Sequence, residues 1–197
     1  MKKLALALAL ALSLGGCATT TSTQGTFRYE KVSAAVDYEV RQLTFKVADA
    51  DVWFRAPNPA WNHFRFIRTD SPTTSFQAWS RWALYAETGL NRRFVELMPR
   101  EQGEYYLSSK LTTLLGTGSV LTDSQVETVD WAGRPGFKVT ASFTTANGLD
   151  MKLVAYGASY DRYLYTMAFE GDVVENFDKT LPLFEKVAKS AVIKTAN

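Results

Sequence analysis

Asn147-Gly148 stands between two β-rich runs, Phe137 to Thr144 and Leu149 to Tyr156. Both residues tolerate positive φ, so the pair is the strongest short hairpin signal in the chain. Its surroundings extend the hairpin to a meander. Gln125 to Trp131 reads as a strand that ends in the turn Ala132-Gly133-Arg134-Pro135-Gly136. Tyr160-Asp161-Arg162 turns the chain again, and Tyr163 to Phe169 is the next strand. Glu170-Gly171-Asp172 reads as a turn with an acidic lead into a helix, which would complement the helix dipole. Phe177, Leu181, Phe184, Ala188 and Ala191 then step by four, three, four and three along one helix face. Pro182 must lie in or near the first turn of that helix, because a later proline removes a backbone bond. Val192-Ile193 reads as a short last strand. A meander closed by an amphipathic helix reads as an α+β fold.

The earlier chain is less regular. Phe27 to Val32, Tyr38 to Val47, Val52 to Ala56 and His63 to Arg68 read as strands, with a turn at Ala48-Asp49-Ala50. Pro57-Asn58-Pro59 ends the third of these, because proline donates nothing to a ladder. Ser71 to Ser75 reads as a loop. Alternation of Phe76, Ala78, Trp82, Leu84 and Ala86 favours a strand over 76–87, while Trp79, Trp82, Ala83 and Ala86 fit a helix face. Thr88-Gly89-Leu90-Asn91 looks like a turn and tips the reading towards strand, with a second strand over Arg93 to Met98 closed by Pro99. Glu104, Tyr105, Leu107, Lys110, Leu111, Leu114 and Leu115 recur at helical spacing, so Glu101 to Leu115 is read as an amphipathic helix stopped by Gly116 and Gly118.

The N-terminus carries a different message. Lys2 and Lys3 precede an apolar run, Leu4 to Leu14, about half the length of a membrane-spanning helix. That is the pattern of a secretory signal peptide. Leu14-Gly15-Gly16-Cys17 then resembles the lipobox of bacterial lipoproteins. The resemblance implies that Cys17 is lipidated, that residues 1–16 are removed, and that 17–26 is a polar tether before a single domain over 27–197. Ala18, where an Asp would retain such a protein at the inner membrane, favours the outer membrane, with the domain facing the periplasm.

The chain has 22 Lys+Arg against 20 Asp+Glu. Loss of Lys2 and Lys3 with the leader leaves 20 against 20, a neutral domain. This argues against nucleic acid as a partner, because binding it rests on a basic field. The hydrophobic content of 46% and aromatic content of 13% supply an ample core.

The opening strand running into Pro57-Asn58-Pro59-Ala60-Trp61, the middle helix, the meander and the closing segment Leu183 to Val192 together resemble the PsbP-like group of domains. That group includes photosystem-associated lumenal proteins and bacterial lipoproteins. The resemblance implies an α/β/α sandwich, with a central antiparallel sheet flanked by helices, over about residues 45–195 and scaffolding or binding roles. The tryptophan-rich stretch 76–87 has no counterpart in it.

No catalytic residues are assigned. His63 is the only histidine, with no nucleophile pattern beside it. One His, and a single Cys assigned to lipid, give no zinc set. The carboxylates at Asp49, Asp51, Asp123, Glu127, Asp130, Asp161, Glu170 and Asp172 follow no calcium-loop spacing, so no metal or cofactor is expected. Gly116-Thr117-Gly118 follows a helix, against the order of a dinucleotide fingerprint. Trp53, Phe54, Trp61, Phe64, Phe66, Phe76, Trp79, Trp82 and Tyr85 form an aromatic cluster with Arg65, Arg68 and Arg81 interleaved. A plain aromatic core accounts for most of it. Trp61, Trp79, Trp82 and Arg81 are the candidate binding residues, because Trp, Tyr and Arg dominate interface anchors. Three functions follow: binding of an envelope protein partner, carriage of a small apolar or lipid ligand, or carboxylate-dependent hydrolysis of envelope polymers. The first is preferred, with the membrane engaged through the lipid.

Overall fold

Strands whose apolar residues alternate with apolar residues of a second set bury both faces of a sheet. Tyr163 to Asp172 is such a strand, buried at nearly every position. The computed structural model describes residues 29–56, 63–83, 94–174 and 176–195. Within them the strands are β1 (Glu30–Lys31), β2 (Asp37–Val40), β3 (Leu43–Lys46), β4 (Trp53–Arg55), β5 (His63–Arg68), β6 (Ser71–Trp82), β7 (Val120–Trp131), β8 (Arg134–Thr144), β9 (Asp150–Tyr160), β10 (Tyr163–Asp172) and β11 (Val192–Ile193). The helices are α1 (Pro99–Gly116) and α2 (Phe177–Lys189). Eight strands form one antiparallel sheet in the order β1-β4-β5-β6-β10-β9-β8-β7, and β11-β3-β2 form a small second sheet. The chain is an α+β fold with a central antiparallel sheet between α1 and α2, as the PsbP-like resemblance implies.

The main sheet separates two cores. On one face Phe66, Phe76, Val154, Tyr165, Met167 and Phe169 meet Phe177, Phe184 and Val187 of α2 and Val40, Leu43 and Phe45 of the small sheet. On the other, Phe137, Val139, Leu153, Ala155 and Leu164 meet Tyr106 and Leu114 of α1. Gly103 lets α1 lie close to the sheet, since a Cβ there would stand 2.6 Å from Val126 Cγ1 and 3.0 Å from Phe137 Cβ. Ser190 fastens the end of α2 to β3. Its Oγ accepts the Lys46 N–H at 2.9 Å and donates to the Lys46 carbonyl at 3.1 Å.

The C-terminal third follows its reading closely. The Asn147-Gly148 hairpin is present, with Gly148 at φ 78. Asp161 and Arg162 both take positive φ between β9 and β10. His63–Arg68 and Val192-Ile193 are strands as expected.

Several expectations are corrected. Tyr38 to Val47 is two strands, split by Arg41 at φ 56, whose guanidinium lies 4.0 Å over the Tyr163 ring. Ser71 to Ser75 is the start of β6 and not a loop. Its polarity is satisfied internally: Ser71 and Thr74 hydroxyls lie 3.1 Å apart, and Thr73 Oγ1 donates to buried Asp172 at 2.8 Å. Glu170-Gly171-Asp172 therefore ends β10 and is no turn. Phe94–Glu96 is a single 3-10 turn and not a strand. Gln102 Nε2 holds it by donating to the Leu97 carbonyl at 3.0 Å. Pro99 opens α1 and closes nothing, since a first helical position needs no N–H. Arg134-Pro135-Gly136 belongs to β8, the turn being Ala132-Gly133 alone. Pro182 is the sixth residue of α2, past the first turn. It is exposed, so the backbone bond it removes lies on the solvent side. The turns at 57–59 and 88–91, Trp61, Tyr85 and Cys17 lie outside the described residues.

Candidate functional site

Strand parity decides which of the candidate residues act together. Gln77, Trp79 and Arg81 alternate onto the α1 face of β6, while Phe76, Ala78 and Trp82 alternate onto the α2 face. Trp79 and Arg81 line a cleft of about 260 Å³ between the sheet and α1. Leu164 and Glu170 of β10 complete its floor, and Tyr105, Tyr106, Ser109, Lys110 and Thr113 of α1 form its wall. Trp82 is separated from this cleft by the sheet. It is 50% exposed and meets Tyr163 edge-on at 5.1 Å.

Tilted and edge-on ring contacts and one ion pair shape the cleft. The Trp79 and Tyr106 rings lie 6.3 Å apart, and Tyr106 leans on Phe137 at 5.8 Å. His63 packs edge-on against Trp79 at 6.1 Å, with its Nε2 2.9 Å from Gln77 Oε1. Lys110 and Glu170 form an ion pair, each side chain 23% exposed. Burial, reinforced by the Glu170 charge, raises the Tyr106 phenol far above its ordinary value, so it stays neutral. Thr166 sits in β10 between Trp79 and Gly157 in register, and its buried Oγ1 has no hydrogen-bond partner among the described residues. Arg81 is exposed at the rim and has no ion-pair partner among the described residues. The cleft thus offers aromatic walls, polar groups and one cation, Arg81, without an ion-pair partner among the described residues.

A second polar cluster lies on the α2 face. Tyr156 Oη donates to both Glu185 carboxylate oxygens, at 2.8 and 2.7 Å, and Lys138 Nζ stands 3.3 Å from Glu185 Oε1. Burial first, then the Glu185 carboxylate, pushes the Tyr156 phenol up to about 12. Burial opposes the Lys138 charge, but Tyr156 and Glu185 outweigh it and hold the ammonium above its ordinary value. Among the described residues no three His, Cys, Asp or Glu side chains gather as a metal site.

The aromatic cluster of the sequence divides accordingly. Trp53, Phe66 and Phe76 are core. Of the binding candidates among the described residues, Trp79 and Arg81 meet in one cavity and Trp82 lies apart from it. Tyr106 has no place in the sequence reading, which gives Tyr105 and Lys110 only as helix-periodic positions and Glu170 only as a turn carboxylate, none as a binding residue. The apolar spacing of α1 points to Leu107 and Leu111, yet its most buried positions are Gln102, Gly103, Tyr106 and Leu114. Glycine and glutamine at the buried seam blur the helical signal.

No protein-family model and no curated protein matches the chain. Similar solved structures include a Bacteroides thetaiotaomicron protein, 10% identical over 78% of this chain and 46% of that one, with a TM-score of 0.48. The chain thus spans under half the length of that protein. Cyanobacterial PsbP from Synechocystis is 11% identical over 79% of this chain and 95% of its own, with a TM-score of 0.47. The Ran-binding protein Mog1p of Saccharomyces cerevisiae is 10% identical over 85% of this chain and 96% of its own, with a TM-score of 0.49.

Proposed function

We propose that this chain is a lipid-anchored binding protein of a bacterial envelope, tethered at Cys17 to the outer membrane, whose cleft beneath α1 receives an anchoring side chain of a protein partner. The observation that carries the reading is the exposed Arg81 at the rim of a cleft walled by Trp79 and Tyr105, without an ion-pair partner among the described residues. Arg, Trp and Tyr in a partly desolvated pocket are the residue types that dominate interface energy. The size supports a protein partner over a carried lipid. Ligand pockets span about 300–1,000 Å³ and are mostly apolar. This one is smaller, and its lining includes the Lys110–Glu170 pair and Gln77. The lipid anchor rests on the leader and on Leu14-Gly15-Gly16-Cys17.

Two experiments test the two halves separately. Cys17→Ala is expected to release the chain from the membrane fraction; unchanged fractionation removes the lipid anchor. Crosslinked pull-downs from membranes should lose one specific partner with Trp79→Ala or Arg81→Ala and keep it with Trp82→Ala. Equal recovery by all three variants counts against the cleft.

A further inference from the structure

The two edges of the main sheet are unequal. β1 ends it with two residues, Glu30–Lys31, whereas β7 ends it with twelve. β7 pairs only with β8, and its outer row of backbone N–H and C=O groups is unpaired, among the described residues. An open row of this kind is a template for another strand. Most β7 side chains are exposed on both faces. Beside it, between β7, β8 and α2, runs a groove of about 510 Å³ lined by Glu127, Val129, Lys138, Tyr156, Glu185 and Lys189.

We infer that β7 and this groove form a second docking surface, which takes an extended basic segment of a protein partner as an added ninth strand. Charge selects the occupant. Asp123, Glu127 and Asp130 are exposed, have no ion-pair partner among the described residues, and β7 carries no Lys or Arg. Lys138 lies opposite Glu127 in register but is held by Glu185. Asp123 and Glu127 share the α2 face, so an antiparallel segment with Lys or Arg at two positions four residues apart would set a cation against each. The next residue on that face would lie beside Val129 at the groove, where the aliphatic stem of a Lys packs. Main-chain bonds supply affinity in this mode and alternate side chains supply specificity. A second copy of this chain fits worse: pairing β7 with itself about Gln125 would set Asp123 against Glu127, like charge on like.

The surface is separate from the α1 cleft, so its test is independent of the proposed function. The full chain is titrated with a short alternating Lys–Val peptide and, separately, an alternating Glu–Val peptide, with amide hydrogen exchange as readout. The Lys–Val peptide should slow exchange within 120–131, and added salt should weaken it. Asp123→Lys with Glu127→Lys should weaken it about tenfold or more and favour the Glu–Val peptide instead. Arg81→Ala should change nothing here. Protection by both peptides alike, protection that appears at α1, or concentration-dependent pairing of β7 without peptide would each overturn the inference.

Discussion

The two faces of the main sheet are built from different materials. On the α2 face the contacts are large, apolar and mutual: Phe66 stacks on Phe76 at 4.4 Å, Phe76 meets Phe184 at 6.0 Å, and Phe169 stacks on Phe184 at 5.4 Å. The small sheet adds Val40, Leu43 and Phe45 to the same cluster. On the α1 face the helix buries Gln102 and Gly103, leaves Leu115 67% exposed, and shelters an ion pair and an unpartnered threonine hydroxyl. Buried polar groups without partners cost stability. Among the described residues both faces leave such atoms, Thr166 Oγ1 on the α1 face and Trp53 Nε1 on the α2 face, so the contrast lies in the packing and not in the orphans. The α2 face carries the dense aromatic core, and the α1 face carries the cleft lined by Trp79 and Arg81.

The largest expected effect falls on the α2 face. Phe184 is fully buried and joins three ring contacts, so Phe184→Ala should cost about 3–5 kcal/mol in denaturant unfolding. Loss of less than about 1 kcal/mol would show that this core is not the dominant one. Gly103→Ala tests how tightly α1 is seated. Helix propensity favours alanine by about 1 kcal/mol, but the Cβ meets Val126 and Phe137, and overpacking costs about 1–3 kcal/mol. A net loss is expected, against a near-neutral Gly116→Ala, where nothing stands within 4 Å. A net gain at position 103 would mean that α1 floats on the sheet.

A subtler difference is readable in alkali. The fold raises the Tyr156 phenol to about 12, so it favours the protonated form. That contribution is complete below the ordinary tyrosine value of about 10 and is lost as the pH rises through the folded value. Phenolate absorbance, compared with Tyr156→Phe, should show this late titration, and Glu185→Gln should shift it down. The smallest effect belongs to Arg81→Ala. Exposed and without an ion-pair partner among the described residues, Arg81 should change stability by no more than about 0.5 kcal/mol. Its loss should be read in binding alone.

The same contrast explains what was legible in the chain. The α2 face is written in simple periods. Phe177, Leu181, Phe184 and Ala188 step along one helix face, and the meander alternates between positive-φ turns at Asp161-Arg162 and Gly148. The α1 face is not. Gln102 is buried because its amide serves two carbonyls and Ser159, a contact 57 residues away. Ser71, Thr73 and Thr74 form strand β6 because their hydroxyls bond one another and Asp172. Such partners are set by tertiary packing, and local composition reads them as loop. The candidate site was legible in half. Trp79 and Arg81 were named from residue type. Their separation from Trp82 follows from strand parity, and their meeting with Tyr106, Lys110 and Glu170 follows from the packing of α1.

The most direct test of the division between faces is photocrosslinking in the membrane from one exposed position on each helix, Thr113 on α1 and Lys179 on α2. One discrete adduct is expected from position 113, abolished by Trp79→Ala or Arg81→Ala, and none from position 179. Equal adducts from both helices, or an adduct at 113 indifferent to both substitutions, would contradict it.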